Sequence, residues 1–346
     1  MNFAIIGCGH IAKKHAEAIQ NIDGANLIAI CDRVPAAMEY YVEKYDAKPY
    51  EDMKDLLVNP EIDVVTICTP SGYHAQITVE IAKAKKHVIV EKPIALTIED
   101  ANLMIKVCEE QGVKLAVVHP NRFRPAVQEF HKLMAEGRLG KISHANATVR
   151  WNRNDAYYAQ APWRGTKALD GGVLMNQAIH NIDLLVWLMG EVEEVYSMGA
   201  TRLRNIEAED VSTGVVRFKN GALGVVEAAA TIYPKNLEES LSIFGETGTV
   251  KIGGMNANQF THLNVESLDE EETNVIIEKV KSDPLGKPGH QCIIEDMIEA
   301  IQQNRTPIVS GEDGKRALQF VLAFYESAET QQKIKIDEKN LVSIGG

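Results

Sequence analysis

Two short stretches of this 346-residue chain carry side chains whose types and spacing could do chemistry. The first is GCGHIA, residues 7–12, which sets Gly7, Gly9 and Ala12 in the spacing GxGxxA between a strand-like run and a helix-like one. There the first glycine permits a tight turn and the second lets a pyrophosphate approach the backbone. The small third residue lets helix and strand pack closely, with the phosphates at the helix N-terminus. His10 and Ile11 belong to the same turn and count with it as candidate cofactor contacts. Asp32 ends the next strand-like run, where a carboxylate binds adenosine ribose hydroxyls. That carboxylate would repel a 2′-phosphate and favours NAD over NADP, while the neighbouring Arg33 could pair with such a phosphate and tempers the preference.

The second stretch is LMNQAIHNIDLLVWLMG, residues 174–190. Ile179, Ile182, Val186 and Met189 recur at helical spacing as an apolar stripe. Beside them Asn176, His180 and Asp183 fall at four- and three-residue steps, so a helix aligns an amide, an imidazole and a carboxylate. A helix wholly inside a core would have to satisfy three polar groups for no gain. One lining a cleft could use the imidazole as base for a hydroxyl proton near neutral pH. Asn176 and Gln177 could then hold neighbouring hydroxyls, and Asp183 could orient His180 or contact substrate.

Three further segments belong with these. TPSGYH (69–74) and EKP (91–93) follow strand-like runs, at the sheet edge where open α/β folds bind ligands. Thr69, Pro70, His74, Glu91 and Lys92 are therefore placed near a bound nicotinamide, and Lys92 could stabilise a developing alkoxide or relay its proton. A cis bond before Pro93 would aim Lys92 at the cofactor. The third segment, 149–172, is loop-like and dense in Arg, Asn, Tyr and Trp, the side chains of a polar pocket. Arg150, Arg153 and Arg164 supply positive charge for an anionic substrate or the cofactor pyrophosphate.

The elements that must position these groups fall into two sets. Through residue 120, near-continuous Val/Ile runs at 3–7, 26–32, 62–70, 87–93 and 114–120 alternate with helical stretches, as in a parallel sheet buried on both faces. This is a Rossmann-type, doubly wound α/β domain. From 121 the pattern changes: 142–151, 212–218 and 241–245 alternate, and Asn220-Gly221 between two strand-like runs signals a two-residue hairpin. The expected second domain, 121–346, is α+β, with a large, mostly antiparallel sheet covered by helices that include 172–189 and end with 290–303 and 313–329.

Bulk properties exclude several classes. A net charge of −12 argues against a non-specific nucleic-acid binder. Five scattered cysteines without a CxxC pair read as free thiols of a reducing compartment, and no Cys/His cluster has metal-ligand spacing, so no metal is expected. The chain opens without the charged lead and apolar run of a signal peptide, and no stretch of about twenty apolar residues could span a bilayer. A cytoplasmic location is expected.

GxGxxA, EKP, APWRG (161–165) and DGGVLMNQAIHNIDLL (170–185) together resemble the glucose–fructose oxidoreductase/inositol dehydrogenase (Gfo/Idh/MocA) family over nearly the whole chain. VVHPNRFRPAV (117–127), with Arg122, and the block from RWNR to NIDL resemble more narrowly its bacterial sugar-nucleotide 3-dehydrogenases, which oxidise UDP-N-acetylglucosaminuronic acid for surface polysaccharides. The resemblance implies NAD as cofactor, Lys92 and His180 flanking the oxidised carbon, and Trp163 and Arg164 closing over the cofactor, together with Arg122. Arg153, Asn154, Tyr158, Asn176, Gln177 and Asp183 then join Lys92 and His180 at the substrate. It also implies a homo-oligomer, a tetramer in that subgroup, with NADH recycled by 2-oxoglutarate. Family members often show HxxxD round the catalytic histidine, whereas His180 and Asp183 stand three apart here, which leaves both roles for Asp183 open. Two alternatives stand beside this expectation: an inositol or free-sugar dehydrogenase of the same fold, and a non-catalytic NAD-binding regulator, against which the presence of both Lys92 and His180 argues.

Overall fold

The apolar runs of the first third become six short strands in a computed structural model that describes residues 1–336. They are β1 (Asn2–Ile6), β2 (Asn26–Cys31), β3 (Lys48–Tyr50), β4 (Val64–Ile67), β5 (His87–Val90) and β6 (Leu115–Val117). All pair in parallel, in the order β3-β2-β1-β4-β5-β6. Every residue of β4 and β6 is buried, which is why these strands read as unbroken apolar runs. The order in which strands are laid down reverses between β1 and β4, and that switch point puts the loop after β1 beside the loop after β4.

The described residues divide into two compact units: 1–120 with 288–315, and 121–287 with 316–336. The segment 288–315 belongs to the first unit through specific contacts. Its helix Gly289–Gln302 packs on the helix Ala12–Gln20, and Val117 N donates to Val309 O at 3.0 Å. A Cβ on Gly311 would lie 2.8 Å from Ile105, and one on Gly314 2.8 Å from Val117, so both glycines mark close approach.

The second unit holds an eight-stranded sheet of β7 (Ile142–Arg150), β8 (Val192–Ala200), β9 (Val211–Phe218), β10 (Leu223–Ala229), β11 (Glu238–Gly245), β12 (Gly248–Gly253), β13 (Gln259–Val265) and β14 (Ile334–Lys335). Their order is β13-β12-β11-β7-β10-β9-β8-β14, antiparallel throughout except for the parallel pair β7–β10. The hairpin expected at Asn220-Gly221 joins β9 to β10, with a loop one residue longer than expected. Phe218 N donates to Ala222 O at 2.9 Å, leaving Lys219–Gly221 as the loop with Gly221 at φ +86. A three-residue loop closing on a left-handed glycine suits the strand twist as well as the two-residue form.

Helices cover one face of this sheet. The helix Ile179–Met189 lies on β7 and β11, where Asn181 Nδ2 donates to Ser240 O at 2.8 Å and Thr148 O at 3.2 Å. The helix expected over 172–189 is not uniform: Val173–Ala178 form a π-helix, and the α-helix begins at Ile179. The other sheet face leaves Tyr196, Met198, Val215, Leu223 and Val225 exposed. Cys8, Cys31, Cys68 and Cys108 are buried free thiols and Cys292 is a half-buried one. Among the described residues, no helix is long and apolar enough to cross a membrane.

Candidate functional site

In the first unit the chemistry gathers at the switch point. Gly7 follows β1 at φ +91, and a Cβ there would lie 2.8 Å from the Cys68 carbonyl carbon and 2.9 Å from Thr69 N. Only glycine allows that turn to lie against the loop after β4. A Cβ on Gly9 would meet nothing within 4 Å, so the exposed outer side of the turn is open to a ligand. No side chain caps the helix Ala12–Gln20 that follows; Lys14 N turns back to Ile11 O at 3.0 Å, and the N–H groups before it can serve an anion. Asp32 Oδ2 accepts from Cys8 N at 2.8 Å and Oδ1 from Val34 N at 2.9 Å. Each oxygen keeps a further lone pair for a ribose hydroxyl. This turn, open helix end and aimed carboxylate fit a dinucleotide such as NAD. His10 and Arg33 are exposed beside it, and Ile11 is half-buried.

The loops after β4 and β5 are tied together by His74. Its buried ring lies with Nδ1 2.9 Å from Pro93 O and Nε2 3.1 Å from Thr69 O, and burial lowers its pKa. His74 thus holds the two strand ends at which Thr69, Pro70 and Lys92 sit half-buried. The Lys92–Pro93 peptide is cis.

Glu91 is buried beneath this edge. Its Oε1 lies 2.8 Å from His15 Nε2 and 3.5 Å from His290 Nε2, and its Oε2 accepts from Lys92 N at 3.3 Å. Burial alone would raise the Glu91 pKa; the two imidazoles, His15 first, outweigh it and hold the carboxyl well below its usual range. Burial lowers the His15 pKa more than Glu91 raises it. A neutral His15 donating Nε2–H to an ionised carboxylate satisfies both directions. The trio has donor atoms within 4.8 Å of one another, a spacing that could also hold a metal ion. Sequence reading missed it, because the first two members stand 76 residues apart and His290 lies far beyond.

In the second unit the expected pocket segment is a hydrogen-bonded cluster centred on Tyr157. The Tyr157 hydroxyl accepts from Arg164 Nη1 at 2.6 Å and from Gln177 Nε2 at 3.1 Å. Arg153 Nε donates to Gln177 Oε1 at 2.9 Å. The guanidinium of Arg164 lies over the Tyr157 and Trp163 rings at 4.3 and 4.8 Å, and that of Arg153 over Trp151 and Tyr157 at 4.7 and 5.1 Å. Stacking of this kind holds cations rigidly, ready for an anion. Asn154 caps the short helix Asp155–Tyr158, accepting from Tyr157 N at 3.0 Å. Tyr158 is half-buried, and burial raises its pKa to about 12. Arg150 lies apart from this cluster, bridged to Glu227 and Glu238 at 2.6 and 2.9 Å.

The polar column of the helix is divided among partners. Asn176 Nδ2 donates to Asp170 Oδ1, and Asn176 Oδ1 accepts from Gln177 Nε2 at 2.7 Å. His180 is half-buried on the first turn of the α-helical part. Asp183 is buried against Arg122, and both of its oxygens accept from that guanidinium. Arg122 also lies over the Trp187 ring at 4.9 Å.

Comparison with known proteins agrees with this reading of the fold. Residues 1–119 match the family described as oxidoreductase family, NAD-binding Rossmann fold, and residues 127–251 match the GFO/IDH/MocA C-terminal domain. Myo-inositol 2-dehydrogenase of Thermotoga maritima is 30% identical, over 98% of this chain and 99% of that protein. The crystal structure of the WlbA dehydrogenase from Bordetella pertussis in complex with NADH and UDP-GlcNAcA is similar with a TM-score of 0.93 at 36% identity, over 97% of this chain and 98% of that one. The aldose-aldose oxidoreductase from Caulobacter crescentus complexed with glycerol follows with a TM-score of 0.84 at 26% identity, over 97% of this chain and 99% of that one.

Proposed function

The chain belongs to the GFO/IDH/MocA family of NAD-dependent oxidoreductases acting on CH–OH groups, and from that premise we propose that it oxidises the C3 hydroxyl of UDP-N-acetylglucosaminuronic acid to the 3-keto sugar nucleotide. The observation that carries this reading is the end-to-end likeness to a dehydrogenase held with both NADH and UDP-GlcNAcA.

NAD, when bound, supplies the hydride acceptor. Its pyrophosphate is assigned to the turn Gly7–Ala12 with His10 and Ile11, its adenosine ribose to Asp32 beside Arg33, and its nicotinamide end to Thr69, Pro70, His74, Glu91 and Lys92. His180 takes the hydroxyl proton, and Lys92 stabilises the alkoxide as the C3–H bond breaks. Asn176 and Gln177 hold neighbouring sugar hydroxyls. Arg153, Asn154 and Tyr158 meet the anionic parts of the substrate, and Trp163 and Arg164 close over the cofactor. With its fork on Asp183, Arg122 enters this reading as a support of the site helix. The enzyme works as a cytoplasmic homo-tetramer in surface polysaccharide synthesis, and 2-oxoglutarate reoxidises its NADH. The exposed apolar face of the eight-stranded sheet is the surface such an assembly would bury.

The test is the near-ultraviolet absorbance of NADH in the purified protein. It should rise on addition of UDP-N-acetylglucosaminuronic acid and fall on addition of 2-oxoglutarate. A protein supplied with NAD that reduces it with myo-inositol, and not with the sugar nucleotide, would overturn the substrate assignment. The identity to an inositol dehydrogenase keeps that second reading in the same assay.

A further inference from the structure

The six residues Val173–Ala178 close as a π-helix, whose i→i+5 bonds put an extra residue into the turn. This turn carries Asn176 and Gln177, and it runs into the α-helix that carries His180. A π-helix is rare and persists where something outside it holds the geometry. Here no side chain of the local sequence caps the turn, since its N-cap is Gly172. The first donors are instead claimed from far along the chain. Gly172 N donates to the Tyr325 hydroxyl at 3.3 Å, Val173 N to Glu209 O at 2.9 Å, and Leu174 N to Glu209 Oε1 at 2.9 Å. Tyr325 in turn donates its hydroxyl proton to Glu209 Oε1 at 3.1 Å.

The two glycines before the turn are shaped to this anchor. A Cβ on Gly172 would overlap the Glu209 carboxylate, so the carboxylate occupies the space of a side chain at that position. Gly171 has φ +78, and a Cβ there would lie 2.6 Å from Met175 Cβ. The D-G-G sequence thus admits the carboxylate of Glu209 to the helix start, where a carboxylate is also favoured by the helix dipole.

We infer that Glu209 is a positioning residue which, with Tyr325, holds the π-turn open and so sets the angle between Gln177 and His180 on the substrate-facing helix. If the turn tightened to α-helix, its residues would rotate by about 100° per displaced position relative to His180, and Gln177 could no longer share one ligand with it. The catalytic meaning of that angle rests on the function proposed above; the anchoring does not.

The test uses the full-length protein with Glu209→Ala, Glu209→Gln and Tyr325→Phe. Amide hydrogen exchange of residues 172–178 should speed at least about tenfold in Glu209→Ala while residues 181–189 stay as protected as before. Turnover of UDP-N-acetylglucosaminuronic acid should fall roughly a hundredfold in kcat with the KM for NAD within about twofold, the mark of misplaced groups. Glu209→Gln keeps an acceptor oxygen for Leu174 N and should restore kcat to within about threefold of the unaltered enzyme. Tyr325→Phe removes one anchor and should fall between the two. Unchanged exchange in Glu209→Ala, or equal loss of kcat in the Gln and Ala variants, would overturn the inference. Should Glu209→Ala not fold, exchange and kcat in Tyr325→Phe decide the matter in the same two directions. An unaltered enzyme inert toward the sugar nucleotide would sink the proposed substrate, and the exchange result would still decide the anchor.

Discussion

Asp183 gives both carboxylate oxygens to Arg122: Nε donates to Oδ2 at 2.8 Å and Nη2 to Oδ1 at 2.6 Å, with both side chains almost fully buried. The fork joins the site helix to the turn at Pro120–Phe123, which begins the second unit. A buried carboxylate that loses its bidentate partner keeps its desolvation cost without the compensating charge. Arg122→Ala should therefore destabilise the protein by about 3–5 kcal/mol in urea unfolding. Arg122→Lys should recover little of this, because an ammonium cannot present two parallel donors. A loss under about 1 kcal/mol in Arg122→Ala would mean the pair is dispensable.

His180→Ala should abolish the base while leaving the dinucleotide turn untouched. We expect kcat to fall by about 10²–10⁴ with the affinity for NAD unchanged in a fluorescence titration. Lys92→Ala should show the same split. Turnover within about twofold of the unaltered enzyme in either variant would remove that residue from the chemistry.

Asp32 accepts from two backbone amides, and in the proposed function it also meets the adenosine ribose. Its loss deprives Cys8 N and Val34 N of their acceptor and would remove the proposed hydroxyl contacts as well. Asp32→Ala should weaken NAD by roughly tenfold or more, and should narrow the preference over NADP because the repelling charge is gone. Binding constants for the two dinucleotides check this directly.

Gly7→Ala meets two obstacles, the left-handed φ of +91 and the backbone of Cys68 and Thr69 within 2.9 Å. The strain is of order 1–3 kcal/mol, and it falls on the joint between the two cofactor loops. The melting temperature should drop measurably, and added NAD should raise it less than it raises that of the unaltered protein in a parallel scan.

Glu209 and Glu239 give a pH dependence of opposite sense to ordinary acid denaturation. Burial raises each to about 7 from 4.5, against the lowering by Leu174 N and Tyr325 at Glu209 and by Arg124 and Asn121 at Glu239. Between those values the folded protein keeps protons that the unfolded chain has released, so stability falls as pH rises through about 4.5 to 7 and is flat above. At 1.36 kcal/mol per unit, each carboxyl contributes at most about 3 kcal/mol to that slope. Glu91, held well below its usual range, acts in the other direction and at lower pH. Urea unfolding between pH 5 and 8 should show the decline, and Glu209→Gln should flatten part of it. A slope identical in the variant would assign the titration elsewhere.

Much of this molecule was legible in its residues. Strand runs buried on both faces need no partner pattern to announce a parallel sheet, because every position is apolar; β4 and β6 are of this kind. GxGxxA and the Asp32 after it carry their own geometry, since a glycine-only turn and a carboxylate at a strand end are demands on local backbone. The polar column Asn176, His180, Asp183 was visible as an anomaly against the apolar stripe, and the family resemblance came from contiguous motifs.

What the residues could not reveal was set by contacts across long separations. Periodicity reads an unbroken helix over 172–189, because the π-turn is imposed by Glu209 and Tyr325, 35 and 153 residues from the amides they hold. The pairing of both Asp183 oxygens with Arg122, 61 residues away, has no local signature. His15, Glu91 and His290 form a cluster only once a first-unit helix, a strand end and the returning segment 288–315 are packed. Local sequence determined the strands, most of the helices and the glycine turn before Asp32, because backbone dihedrals and side-chain chemistry are local properties. Tertiary structure alone decided which buried charge meets which partner, because a charge taken from water settles on whatever the fold brings within hydrogen-bond reach.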